Sequence, residues 1–196
     1  MSLALQAYII VNLILASWVV FLLVWIFAAF GNKQPRELEP LGQRLSYTIL
    51  IWIGAILLFA PLDTRIYPLN VPVIPHDPVL GWLAAALVLL GLALAFWARA
   101  TLGRNWSGSV QVKEGHELVT KGPYAIVRHP IYTALLIMVI GTILVVANLG
   151  AVLALPITAA GFIIKLLAEE RTMRRQFPDA YAAYATRVKR LVPFVW

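Results

Sequence analysis

The stretch from Ile131 to Ile164 holds 34 residues and no charged side chain. As one α-helix it would be about 51 Å long, far more than the roughly 30 Å hydrocarbon core of a bilayer. Asn148-Leu149-Gly150 interrupts it near the middle, so a tight hairpin of two helices is expected. Leu3 to Phe30 is a second uncharged run, of 28 residues, enough to cross a bilayer with tilt. Composition agrees: 61% of the chain is hydrophobic and 13% charged, where a soluble domain is about half apolar and a quarter charged. Leu45 to Leu62 and Pro78 to Ala98 supply further apolar segments. The expectation is an all-α polytopic membrane protein, one membrane domain over 1–196. Its five spans would lie at about 3–30, 45–62, 78–98, 131–147 and 150–167.

The first run lacks a basic leader and is too long for a signal peptide, so it is read as a retained helix. The proline-rich stretch Asp63 to Asp77, with Pro68, Pro72 and Pro75, is expected to be a stiff external loop. Lys165 is expected to snorkel from the short hairpin toward the headgroups. Beyond Glu169, the spacing of Met173 and Phe177, then of Tyr181, Tyr184 and Val188, predicts an amphipathic helical tail. Its arginines and lysines suit an anionic membrane surface. The 31–44 loop, the 99–130 loop and this tail, with Lys165 at its edge, hold every lysine and arginine except Arg65. Five crossings put those loops on one side, which should be cytoplasmic, with the N-terminus outside.

The polar interval Gln111 to Tyr132 separates two apolar blocks and holds His116, Glu117, Lys121, Tyr124, Arg128 and His129. Pro130 suits the first turn of the next helix, leaving Arg128 and His129 at a helix N-terminus that favours anionic groups. Ionisable groups at such a depth point to function. Arg128 is read either as a contact to lipid phosphates or as a fork for a ligand carboxylate or phosphate. Tyr132 is read as a belt tyrosine or a ligand contact, and Trp106 as an interfacial anchor bordering a lipid entrance. Glu169-Glu170 is read either as a plain surface feature, with Glu170 pairing with Arg174, or as a site in which Glu169 points into the bundle to hold a ribose or an amine. His116 and His129 fall short of the three protein ligands a catalytic metal normally takes, so no metal site is assigned. Cysteine is absent, which excludes thiolate chemistry. No phosphate loop or dinucleotide fingerprint is present. The juxtamembrane position of the basic residues argues against nucleic acid as a partner.

Several of these residues together resemble the isoprenylcysteine carboxyl methyltransferase family. They are Gln111, His116-Glu117-Leu118-Val119, Gly122-Pro123-Tyr124, Arg128-His129-Pro130-Ile131-Tyr132, Glu169-Glu170 and Phe177-Pro178-Asp179-Ala180-Tyr181. The likeness covers about 102–193. It implies S-adenosyl-L-methionine as cofactor, held on the cytoplasmic side between the last helices and the tail. By position it assigns Gln111, His116, Glu117, Leu118, Val119, Tyr124, His129, Pro130, Ile131, Tyr132 and Glu169 to the cofactor. Arg128, His129, Tyr132 and Glu169 would form the catalytic set. The substrate-contacting arginine of the family falls on Lys165, with Trp106 beside the entrance. Ala134 stands where the family has glycine and is expected to narrow the pocket.

The resemblance implies methylation of a lipid-like or prenylated acceptor, first of all an isoprenylcysteine carboxylate. Phospholipid amines and thiols are alternatives, for which His116 or Glu117 would serve as base. The Arg-His-Pro-x-Tyr element also occurs in membrane reductases that use nicotinamide, and a non-enzymatic lipid-binding protein is a further alternative.

Overall fold

The structure is a computed structural model that describes residues 1–30, 35–60, 66–106, 111–113 and 117–196. The chain is an integral membrane protein; among the described residues four helices are long and apolar enough to cross a membrane and a fifth apolar helix is shorter, with a short sixth helix and a two-stranded ribbon. Helix α1 is Leu3–Ala29, α2 Leu41–Phe59, α3 Pro78–Leu102, α4 Pro130–Val146, α5 Leu149–Gln176 and α6 Pro178–Arg187. Strands β1 (Pro35–Leu38) and β2 (Gln111–Lys113) pair antiparallel, with Glu37 opposite Val112. The ribbon is a small addition to the all-α expectation, and it joins the α1–α2 and α3–α4 connections at one end of the bundle.

Local chemistry explains the helix ends. Asp77 caps α3, its carboxylate accepting from the amides of Val79 and Leu80, and Pro78 occupies the first turn. Asn148 caps α5 through its side chain, which accepts from Ala151 N at 2.8 Å. The hairpin break falls at Ala147, which is left-handed (φ 59°). The Ala147 carbonyl accepts from Val73 and Ile74, while the amides of Leu149 and Gly150 donate to Val71 and Leu69. The 66–77 loop therefore braces the hairpin tip, at the end away from the ribbon. Helix α2 stops earlier than expected, because Ala60 precedes a proline and is extended (ψ 135°).

Two helices run longer than charge alone suggested. Helix α3 continues past Arg99 because that guanidinium donates to Gly103 O (2.6 Å) and Ala28 O (2.8 Å) and lies over the Trp106 ring. Helix α5 continues past Leu167 because its acids and bases find partners on the following segments, described below.

The core is made by close helix pairs, α3 with α4 and α2 with α5. In a membrane, such pairs are held by van der Waals contact between small residues rather than by apolar burial. A Cβ on Gly91 would stand 2.7 Å from Ala134 O, and one on Gly141 2.7 Å from Ala84 O. Ala84, Ala95 and Ala134 are fully buried, and Val88 and Met138 fill the spaces between. Ala134 thus belongs to the α3–α4 seam; it does not line the chamber and does not narrow it. Trp18 of α1 joins this core by donating to Thr142 Oγ1 at 3.0 Å.

Candidate functional site

Between the ends of these helices lies a chamber of about 420 Å³. Part of its lining is apolar and aromatic: Phe21 and Trp25 of α1, Ile51 of α2, Leu135 of α4 and Phe162 of α5. Phe21 and Trp25 are four residues apart, share a helix face and stack at 4.1 Å. Its polar lining residues include Glu117, Tyr124, His129, Tyr132 and Glu169.

Helix α4 begins at Pro130, so His129 is its N-cap and Tyr132 stands in its first turn. Glu169, near the end of α5, faces both. The Tyr132 hydroxyl donates to Glu169 Oε1 at 2.5 Å, and His129 Nδ1 is 3.5 Å from Glu169 Oε2. The Tyr132 ring is stacked between His129 (5.7 Å) and Phe162 (5.0 Å). Glu169 keeps 25% of its side chain accessible, toward the chamber, whereas the Glu170 side chain keeps 4%.

Glu170 is not a surface partner of Arg174. It accepts from Arg128 Nε (3.0 Å) and Nη2 (2.8 Å), from Arg190 Nη2 (3.2 Å), and lies 3.3 Å from His129 Nε2. Buried carboxylates need such partners, and three cationic side chains converge here. Arg128 Nη1 donates in turn to Ala185 O and Val188 O. Its fork is thus taken up within the protein, which corrects its assignment to a ligand carboxylate or a lipid phosphate. The helix start is covered as well: the amides of Arg128 and His129 donate to Lys189 O and Arg190 O.

The tail follows from these bonds. Its tyrosine face is turned onto the protein: Tyr181 and Tyr184 are buried and form part of the chamber wall. The Tyr184 hydroxyl donates to Tyr124 O at 2.6 Å. Folding back onto the protein satisfies carbonyls and rings that a membrane surface would leave half wet.

Burial sets the protonation of this region. It opposes a charge on His129, but hydrogen bonds with Glu169 and then Glu170 outweigh it, and the imidazole pKa is raised. Burial holds the Tyr124 hydroxyl well above the usual phenol range and pushes Tyr184 up to about 12. The two carboxylates thus favour the charged form of His129, and burial favours the neutral, donating form of the tyrosines.

Most residues singled out in the sequence converge. Glu117, Leu118, Val119, Tyr124, Arg128, His129, Ile131, Tyr132, Lys165, Glu169 and Trp106 all line the chamber. Lys165 does not snorkel outward; its Nζ lies 5.4 Å from the Tyr47 ring and 5.7 Å from the Tyr132 ring. Trp106 is a chamber residue beside Trp25 (6.0 Å, edge-on) rather than a lipid anchor. Pro130 is buried and starts α4 without touching the chamber. His116 lies outside the described residues, as does the side chain of Gln111, whose backbone pairs with Leu38. Phe21, Trp25, Ile51, Phe162, Tyr181 and Tyr184 are additions. The aromatic i,i+4 pair in α1 and the paired tail tyrosines were the available signals.

The profile of the isoprenylcysteine carboxyl methyltransferase family matches residues 83–175, from α3 to the end of α5, and so includes every chamber residue of α4 and α5. The chain is similar to the isoprenylcysteine carboxyl methyltransferase family over that stretch, just under half of its length. A protein-S-isoprenylcysteine O-methyltransferase B of Arabidopsis thaliana is 34% identical over 112 residues, 56% of this chain and 57% of that protein. A probable protein-S-isoprenylcysteine O-methyltransferase of Oryza sativa subsp. indica is 27% identical over 140 residues, 70% of this chain and 73% of its own. The solved eukaryotic intramembrane Ras methyltransferase, an isoprenylcysteine carboxyl methyltransferase, superposes with a TM-score of 0.53 at 27% identity. That match covers 76% of this chain and 53% of the solved one. The chain thus spans little more than half the length of the Arabidopsis relative and of the solved structure. The likeness to the solved methyltransferase agrees with the polytopic helical fold.

Proposed function

We propose that this protein is an S-adenosyl-L-methionine-dependent membrane methyltransferase acting on a lipid-borne acceptor, foremost an isoprenylcysteine-like carboxylate. The observation that carries this reading is a chamber of mixed lining. Glu169, His129 and Tyr132 meet in it, and Phe21, Trp25 and Phe162 line it as well. The names of the plant relatives and of the solved Ras methyltransferase support the same reaction class.

The residues fit the cofactor. A volume of about 420 Å³ lies within the roughly 300–1,000 Å³ of small-molecule sites. Glu169, partly open to the chamber, suits a ribose or an amine, and the ring of Tyr124 suits adenine or a sulfonium, with the edge of Tyr132 beside it. Glu117, Leu118, Val119 and Ile131 would border it, with Gln111 and His116 assigned by the family likeness. When bound, the cofactor supplies an electrophilic methyl group.

The protein's own part is placement. An acceptor carboxylate is already ionised at neutral pH and needs no base. The aromatic wall would align the lipid chain and exclude water, and the Lys165 ammonium would draw in an anionic head. Trp106 stands beside Trp25 of the apolar lining, where an acceptor would enter from the bilayer. The ribbon end carries the basic loops, so by the positive-inside tendency the chamber faces the cytoplasm and the N-terminus lies outside.

Calorimetric titration of the detergent-solubilised protein with S-adenosylhomocysteine tests the cofactor. Saturable binding that is weakened in Glu169→Gln is expected. No binding, with a nicotinamide cofactor binding instead, overturns the proposal in favour of a reductase. Labelled methyl donor with prenylcysteine, phosphatidylethanolamine and thiol acceptors then separates the acceptor classes.

A further inference from the structure

Glu170 does not line the chamber, yet more of the fold converges on it than on Glu169. Its carboxylate is 3% exposed and gathers Arg128, His129 and Arg190. Two of these bonds reach the tail. Arg190 belongs to it, and Arg128 carries the connection onward to Ala185 O and Val188 O, at the end of α6. Thr133 Oγ1 adds a bond to Leu191 O at 2.8 Å. What is fastened in this way is the segment bearing Tyr181 and Tyr184, one wall of the chamber.

The fastening also touches the ligand-facing acid. The His129 ring sits with Nδ1 3.5 Å from Glu169 Oε2 and Nε2 3.3 Å from Glu170 Oε1. A ligand that rearranges Glu169 shifts the imidazole, and the imidazole is one of the partners of Glu170. Neighbouring acids in one helix turn thus divide the work, one facing the ligand and one holding the wall.

We infer that Glu170, Arg128 and Arg190 are positioning residues that latch the 177–191 segment over the chamber. His129 links this latch to Glu169, so ligand binding and tail docking strengthen each other. The inference rests on the cofactor reading above. Such coupling is reciprocal: a loosened tail weakens the ligand by the factor by which the ligand tightens the tail.

The test is amide hydrogen exchange of residues 178–191 in the full-length protein, with and without S-adenosylhomocysteine, alongside its affinity. The variants are Glu170→Gln and the milder Arg190→Gln, whose site is 28% exposed. In the unsubstituted protein the ligand should slow exchange of the tail. Arg190→Gln should speed exchange without ligand and weaken binding about five- to hundredfold, the usual span of coupling between sites. Arg190→Lys should recover part of both, and Glu169→Gln should weaken binding without loosening the ligand-free tail. A tail whose exchange ignores the ligand overturns the inference. So does an Arg190→Gln protein with a loose tail and unchanged affinity, the result expected of a purely structural staple. If the unsubstituted protein binds no S-adenosylhomocysteine, the cofactor reading and the coupling both fall. The latch alone then stands or falls on tail exchange in Arg190→Gln.

Discussion

Replacing Tyr132 with phenylalanine removes one oxygen and leaves the ring stacked between His129 and Phe162. The lost hydroxyl donates to Glu169 Oε1 at 2.5 Å, in a site where Tyr132 is 8% exposed. A hydrogen bond to a charged group contributes about 1.5–3 kcal/mol in soluble proteins. Polar contacts between membrane helices average about 0.6 kcal/mol and reach about 1.7 kcal/mol. The two ranges meet near ~1.5 kcal/mol, which is the expected destabilisation. For a chain of this size, each kcal/mol moves the midpoint by about 2–4 °C, so Tm should fall by roughly 3–6 °C. Differential scanning fluorimetry in detergent reads this directly. Tyr67→Phe, at an 81% exposed position, serves as the control that should not shift. An unchanged or raised Tm for Tyr132→Phe would refute the argument, because the hydroxyl would then not be holding Glu169 in the folded state.

Other expectations follow from the same geometry. The raised pKa of His129 means its contribution to stability is complete below the ordinary imidazole pKa and is lost as pH rises through the folded value. Tm should therefore decline from neutral toward alkaline pH, and His129→Asn should flatten that slope. Gly91→Val should destabilise the α3–α4 seam by about 1–3 kcal/mol, through overpacking against Ala134 O and Met138. Gly42→Ala, where a Cβ meets nothing within 4 Å, should be neutral or stabilising by about 0.5–1 kcal/mol from helix propensity; thermal midpoints compare the two. Lys165→Met should leave S-adenosylhomocysteine affinity within a few-fold while raising KM for an anionic acceptor. An amine acceptor should not suffer that rise.

The helical elements were largely legible because their causes are local. Uncharged length called for spans, Asn148-Leu149-Gly150 marked the hairpin break, and Pro130 announced the start of α4. Their ends were less so: α3 and α5 outrun their apolar windows because Arg99, Glu169 and Glu170 are satisfied by groups from other segments. The likeness to a family pointed to Glu169, His129 and Tyr132, which the fold does bring into contact.

What the amino-acid order determined by itself was a membrane bundle with every lysine and arginine but Arg65 collected at one end. Periodicity and charge placement are properties of neighbouring residues and need no distant partner. Tertiary structure alone decided that Arg128 serves Glu170 rather than a ligand, that Lys165 turns inward, and that Phe21, Trp25, Tyr181 and Tyr184 complete the walls. Each of those outcomes depends on side chains from segments far apart in sequence. Two adjacent acids differ in role because one helix turn points them at different neighbours, which only the packed protein supplies.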